Sequence, residues 1–138
     1  PNYFGEQRFG RDGSTLEQAR RWMRGGRRIS REKRGLYYSA LRAYVFNCIL
    51  AQRVERGDWD TVLPGDICML HGILAQCTDI CEFLEASGLD LAWRPARLLA
   101  DDFCWEFCDD DTLRLEFSLG AGCYATALLA EFVQYKEG

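Results

Sequence analysis

The chain has 138 residues, 48% of them hydrophobic, and a formal net charge of −4, enough for one modest domain with its own core. No apolar run approaches membrane-spanning length, and no signal peptide is legible in these residues. Seven cysteines, an odd number without secretory features, predict reduced and mostly buried thiols in a cytoplasmic protein.

The first ten residues, Pro1 to Gly10, gather three aromatics, two glycines, Asn2, Gln7 and Arg8. Rings offer flat apolar platforms, amide and guanidinium groups offer directional hydrogen bonds, and glycines admit close approach. The combination suits a pocket for a flat polar ligand such as a nucleobase; tight packing between strands is the alternative. A mature protein rarely begins with proline, so further sequence is expected before Pro1.

Arg11-Asp12-Gly13 predicts a turn. Ser14-Thr15-Leu16-Glu17 reads as a capping box that opens a helix running to about Arg24 and stopping at Gly25-Gly26. Leu16, Ala19 and Met23 share one face of it, which leaves Arg20, Arg21 and Arg24 for solvent or RNA. Residues 1–56 hold 13 Lys/Arg against 5 Asp/Glu, a net of +8, whereas residues 57–138 hold 4 against 16, a net of −12. The basic half is densest at Arg20, Arg21, Arg24, Arg27, Arg28, Arg31, Lys33 and Arg34, a phosphate-binding footprint or a solvated helix face. The acidic remainder argues against indiscriminate binding over the whole surface.

Ser30 can cap a longer helix, with Tyr37, Leu41, Tyr44, Val45, Cys48, Ile49 and Gln52 at helical spacing and Gly57 as its end. Asn47 is a poor helix former and reads as a buried hydrogen-bonding anchor. Thr61-Val62-Leu63 and Ile67-Cys68-Met69-Leu70 predict short strands around a Pro64-Gly65-Asp66 turn, with His71 in a further turn. Ile73 to Ser87 predicts a helix capped at Thr78 and closed by Gly88. Trp105 and Phe107, an Asp109-Asp110-Asp111 turn, and Leu113, Leu115, Phe117 and Leu119 in alternation predict a hairpin with one buried and one polar face. A last helix is expected from Cys123 to Tyr135 with Leu128, Leu129 and Phe132 inward.

Cys77 and Cys81, like Cys104 and Cys108, are four apart, longer than the usual pair spacing of a zinc knuckle, so no metal is expected. Walker, dinucleotide and nucleophile-elbow motifs are absent, and the carboxylates form no pair with acid/base spacing.

Asn2-Tyr3-Phe4-Gly5-x-Gln7-Arg8-Phe9-Gly10 resembles the signature of the TruD family of tRNA pseudouridine synthases. Leu119-Gly120-Ala121-Gly122-Cys123-Tyr124-Ala125-Thr126 is similar to that family's closing segment, Leu-Pro-Ala-Gly-Ser-Tyr-Ala-Thr. Between them, Ser39-Ala40-Leu41-Arg42, Phe46-Asn47 and Arg53 resemble a family helix. Gly120 stands for the usual proline, Cys123 for serine, and Ala130 where an arginine is expected.

The resemblance implies an α+β fold, part of a pseudouridine synthase catalytic domain (a mixed sheet with helices) at residues 1–27 and 102–138. Residues 28–101 would be the family's inserted domain, either short in this protein or with residues lost near Gly72-Ile73. It implies isomerisation of uridine to pseudouridine in tRNA (position 13 in bacterial members), without cofactor or metal. Asn2 would orient the catalytic aspartate, Phe4 would line the uracil pocket, and Gly5, Gln7, Arg8, Tyr124 and Thr126 would complete the substrate site. The aspartate itself belongs to a Gly-x-Lys-Asp-type motif that this chain lacks, so no catalytic residue is assigned here and the nucleophile is expected upstream of Pro1. The partners implied are tRNA and the missing N-terminal part of the protein. The alternatives are a non-catalytic RNA-binding module and an interaction domain without an RNA role.

Overall fold

The computed structural model describes residues 1–60, 76–89 and 94–133. The opening residues run extended to Gly5 and then make one helical turn, α1 (Glu6–Phe9). A 3-10 turn at Arg11–Gly13 leads directly into α2 (Ser14–Met23). The long α3 (Arg31–Arg56) follows, then α4 (Thr78–Ala86), strands β1 (Ala100–Phe107) and β2 (Leu113–Leu119), and α5 (Ala125–Leu129). This is an α+β arrangement whose sheet, among the described residues, is the antiparallel pair β1–β2. Both strands expected at 61–70, and the turn at His71, lie outside the described residues.

The core sits where α2, α3 and α4 meet. Ala19, Leu41, Val45, Ile80 and Leu84 are fully enclosed there, with Tyr37 and three thiols, Cys48, Cys77 and Cys81. Trp22 knits the three helices, with ring centroids 5.8 Å from Tyr37, 5.4 Å from Tyr38 and 5.4 Å from Phe83. Gly26 makes the exit from α2 possible, because a Cβ there would sit 2.5 Å from the Trp22 Cα.

Helix ends follow local chemistry in α3. The Ser30 hydroxyl accepts from the Lys33 amide at 3.2 Å, and Gly57 closes the helix in the left-handed region at φ 75°. Two other expectations are corrected. Ser14 caps nothing: it already has helical angles (φ −57°, ψ −38°), and Gly13 precedes the helix instead. The 3-10 turn feeds α2 without the extended residue that a capping box requires. Thr78 likewise is the first residue of α4, not its cap; Cys77 occupies that place, and residues 76–77 form a turn where helix was expected.

The expected hairpin forms, and its register sets Trp105 opposite Leu115 and Phe107 opposite Leu113. A bulge between Asp101 and Cys104 accompanies the left-handed Asp102 (φ 54°). Its apolar face is not buried. Trp105 is 63% exposed and Phe107 68% exposed, and Leu115, Phe117 and Leu119 are only half-buried. Two strands alone have no second layer to close that face. The expected last helix is also shorter: α5 ends at Leu129, and Phe132 is exposed while stacking on Phe103 at 5.9 Å. Cys104 and Cys108 are exposed rather than buried, and Cys123 is half-buried. No described helix is long and apolar enough to cross a membrane.

Candidate functional site

Three segments far apart in sequence converge on the Phe4 ring. From α3, Phe46 meets it edge-on with centroids 5.7 Å apart. From the residue preceding α5, Tyr124 lies 5.9 Å away at a tilt. Asn47 holds the Phe4 backbone from both sides, accepting its N–H at Oδ1 and donating from Nδ2 to its carbonyl, each at 2.9 Å. The expectation of a structural anchor at Asn47 is met, and the anchored residue is Phe4.

Arg8 closes one side of this cluster. Its guanidinium donates to Ser39 Oγ on α3 and to Tyr124 Oη at 2.7 Å, and its centre lies 5.3 Å from the Phe4 ring. Gly10 permits the turn behind it: at φ 76° it adopts a conformation that side chains resist, and a Cβ would meet Thr15 Oγ1 at 2.5 Å.

Asn2 is fully buried. Its Nδ2 donates to the Pro95 carbonyl at 2.9 Å and to Cys123 Sγ at 3.6 Å, while Oδ1 accepts from Arg94 at 2.7 Å. The backbone N–H of Asn2 is bound by the Ala96 carbonyl at 2.8 Å. The amide is therefore spent inside the protein.

A cleft of about 640 Å³ opens beside this cluster. Tyr3, Phe4, Gly5 and Gln7 line one wall, and Thr126 and Ala127 of α5 line another. Of the residues singled out from sequence, Phe4, Gly5, Gln7 and Thr126 face the cleft, whereas Asn2, Arg8 and Tyr124 stand behind it. Burial, then the nearby Glu131 and Glu55 carboxylates, push the Tyr3 phenol above its ordinary value, so it remains a neutral hydrogen-bonding group.

The basic run occupies the end of α2, the start of α3 and the link between them. Arg21, Arg24, Arg27, Arg28, Arg31, Lys33 and Arg34 are exposed. Arg21 pairs with Glu17, Arg24 approaches Asp79 at 3.7 Å, and among the described residues Arg27, Arg28, Arg31 and Arg34 make no ion pair. Arg20 departs from the expectation. It is half-buried, its guanidinium lies 5.0 Å from the Tyr44 ring, and its Nε is enclosed, because its position on α2 faces α3.

Sequence reasoning missed Arg94. Its guanidinium sits 3.7 Å from the Phe4 centroid and 5.3 Å from both Phe46 and Tyr124. Burial lowers its pKa from the usual arginine range. Its one sequence signal is rarity: residues 57–138 hold only four Lys/Arg.

The cysteine pairs lie in different settings. Cys77 and Cys81 join Cys48 in the helical core, and Cys104 and Cys108 belong to the hairpin. Among the described residues no three His, Cys, Asp or Glu side chains are gathered as a metal site.

The family model described as tRNA pseudouridine synthase D (TruD) matches residues 13–92, more than half of the chain. Proteins named tRNA pseudouridine synthase D are similar along almost the whole of it. That of Methylococcus capsulatus is 35% identical over 98% of this chain and 52% of its own length. That of Aeromonas salmonicida is 33% identical over 99% of this chain and 52% of its own, and that of Haemophilus influenzae 35% over 99% and 54%. The chain thus spans about half the length of the curated relatives it matches. The Methylococcus alignment extends over 183 positions against 138 residues here, so that relative carries internal residues without a counterpart in this chain.

Proposed function

The chain belongs to the TruD family of tRNA pseudouridine synthases, and from that premise we propose that it supplies the uracil-pocket wall and RNA-facing surface of such an enzyme. The observation that carries this reading is the convergence of the opening, α3 and closing segments on Phe4 at the edge of a cleft. A base reached in folded RNA has to be extruded, and an aromatic ring beside a cleft gives the extruded base a surface to rest on. Gly5 and Gln7 form the adjoining wall with Thr126 opposite, while Arg8 and Tyr124 brace Phe4 from behind and Asn2 ties the opening segment to the 94–96 loop. Arg21, Arg24, Arg27, Arg28, Arg31, Lys33 and Arg34 contact the RNA phosphates; Arg20 contributes through helix packing instead.

The reaction proposed is an isomerisation in tRNA, needing neither cofactor nor metal: the N1–C1′ bond of a uridine breaks, the base turns, and a C5–C1′ bond forms as the C5 proton is lost and N1 gains one. Neither Asn2 nor Phe4 can perform the covalent step, and the carboxylates that line the cleft, Glu6, Asp12 and Glu131, belong to no Gly-x-Lys-Asp-type motif. Asn lacks a useful pKa and Phe has no polar atom. The nucleophilic aspartate is assigned to the remainder of the protein, which is also proposed to cover the apolar face of β1–β2 in a catalytic domain formed with residues 1–27 and 102–138. Residues 28–101 would form the inserted domain, and the setting would be the cytoplasm. The runner-up, a non-catalytic RNA-binding module, draws support from Gly120, Cys123 and Ala130, where the family pattern is altered.

Tritium release from tRNA labelled at uridine C5 tests the enzyme reading. The 138-residue chain alone is expected to release none, and the chain supplied with the other half of the protein is expected to turn over; turnover by the chain alone would place a catalytic carboxylate among its own residues. Tritium retention by the complete protein, with tRNA still bound, would favour the binding module. Replacing Arg27, Arg28 and Arg31 with Ala should flatten the salt dependence of tRNA binding by about one unit of slope per lost phosphate contact.

A further inference from the structure

We propose that Arg94 is a positioning residue, which fixes the orientation of Phe4, Asn2 and Tyr124 and so sets how a base is presented at the cleft. The inference rests on the function proposed above.

The geometry has three parts. The guanidinium lies 3.7 Å from the Phe4 centroid, close enough for a planar cation to set the tilt of the ring. It donates to Asn2 Oδ1 at 2.7 Å and to the Asn2 carbonyl at 3.2 Å, which leaves Nδ2 turned to the Pro95 carbonyl and fixes which way the amide points. Its centre also lies 5.3 Å from the ring of Tyr124, the residue that Arg8 holds by a hydrogen bond at 2.7 Å. One planar group therefore couples three residues from opposite ends of the chain.

A passive filler would not have this chemistry. Arg94 pairs with no carboxylate among the described residues, its Nε is enclosed without a hydrogen bond, and the neighbouring Arg8 charge adds repulsion. An apolar side chain would occupy the space without the desolvation cost of a charge. What a guanidinium adds is a flat face together with a rigid fork of donors, which an ammonium cannot reproduce. Arg94 is not among the residues that line the cleft and meets its wall at Phe4, and the exposed basic run lies on other elements, so its loss should alter turnover and leave tRNA capture intact.

The test uses the complete protein with Arg94→Ala, Arg94→Lys and, as a control, Arg97→Ala at an exposed neighbouring position. For Arg94→Ala, kcat for tritium release should fall by up to about 100-fold, the effect expected of a small misplacement of reacting groups, with KM for tRNA within about twofold. Arg94→Lys should remain impaired despite its charge, free guanidinium ion should partly restore Arg94→Ala, and Arg97→Ala should match the parent. A folded Arg94→Lys protein with the parent's kcat would overturn the proposal. So would kcat and KM changing together without guanidinium rescue, the pattern of a merely structural residue. Should Arg94→Ala not fold, Arg94→Lys alone decides. A parent protein that binds tRNA but releases no tritium would sink the enzyme reading itself, an outcome separate from any Arg94 effect.

Discussion

The helical body and the hairpin are built on opposite terms. In the body, α2, α3 and α4 enclose Leu41, Val45, Ile80 and Leu84 almost completely. In the hairpin, seven apolar residues share a face that leaves Trp105 and Phe107 mostly in water. The alternation of β2 is as regular as the heptad-like stripe of α3, so pattern strength does not separate them. The difference lies in supply. A long helix finds its covering layer in the neighbouring helices of the same segment, whereas a two-stranded ribbon needs a layer that the described residues do not provide.

The largest effect should come from deleting core volume. Leu41→Ala is expected to cost about 2–5 kcal/mol, whereas Trp105→Ala in the isolated chain should cost about 1 kcal/mol or less, the scale of one cross-strand pair. Urea unfolding of both variants measures the contrast. Repeating Trp105→Ala in the complete protein sharpens it: the loss should grow to about 3 kcal/mol if the remainder covers that face, and an unchanged value would mean the face stays open.

Asn47→Ala comes next. Losing both bonds to the Phe4 backbone should cost about 1–3 kcal/mol and free the opening segment, detectable as faster amide exchange at Phe4. Ser30→Ala removes the cap of α3 and should cost about 1 kcal/mol in the same urea assay, with no effect on the hairpin.

The last contrast concerns the buried thiols. A hydrogen bond from Cys77 outweighs burial and holds the Cys48 thiol at about 7, below its ordinary 9.0. The same bond, with burial, pushes Cys77 upward. Between pH 7 and 9 the unfolded chain keeps a proton that folded Cys48 has released, so stability should rise with pH across that window. Above 9 the unfolded chain loses the Cys77 proton that the folded chain retains, and stability should fall. Cys48→Ser should abolish the rise; urea midpoints that are flat from pH 7 to 9 in the parent would refute the thiolate assignment.

Much of the body was legible because its signals are local. A serine before a charged first turn, a glycine after the last turn and a 3.6-residue apolar stripe act within a few residues of one another, and they located α3 at both ends. Ser14 and Thr78 show the limit of the same rule. Each has the right residue type, but the backbone entering the helix decides which position is the cap, and a 3-10 turn or a preceding Cys77 shifted it by one. For the site, the aromatic-glycine opening marked Phe4, and the poor helix propensity of Asn47 marked an anchor. Arg94 left no such mark, since nothing periodic or motif-like surrounds it and its hydrogen-bond partner Asn2 lies 92 residues away.

By itself, the sequence determined α2 and α3, the presence of the hairpin, the family and the segments from which the cleft is built. Each rests on short-range periodicity, capping chemistry or contiguous motifs. Only the tertiary structure decided that Asn2 spends its amide inside the protein, that Arg20 turns inward onto Tyr44, that Arg94 lies over Phe4, and that the hairpin's apolar face stays open. Those outcomes depend on which distant groups meet when the helices close. A side chain's partner at long range is chosen by packing and desolvation across the whole chain, and no local rule carries that information.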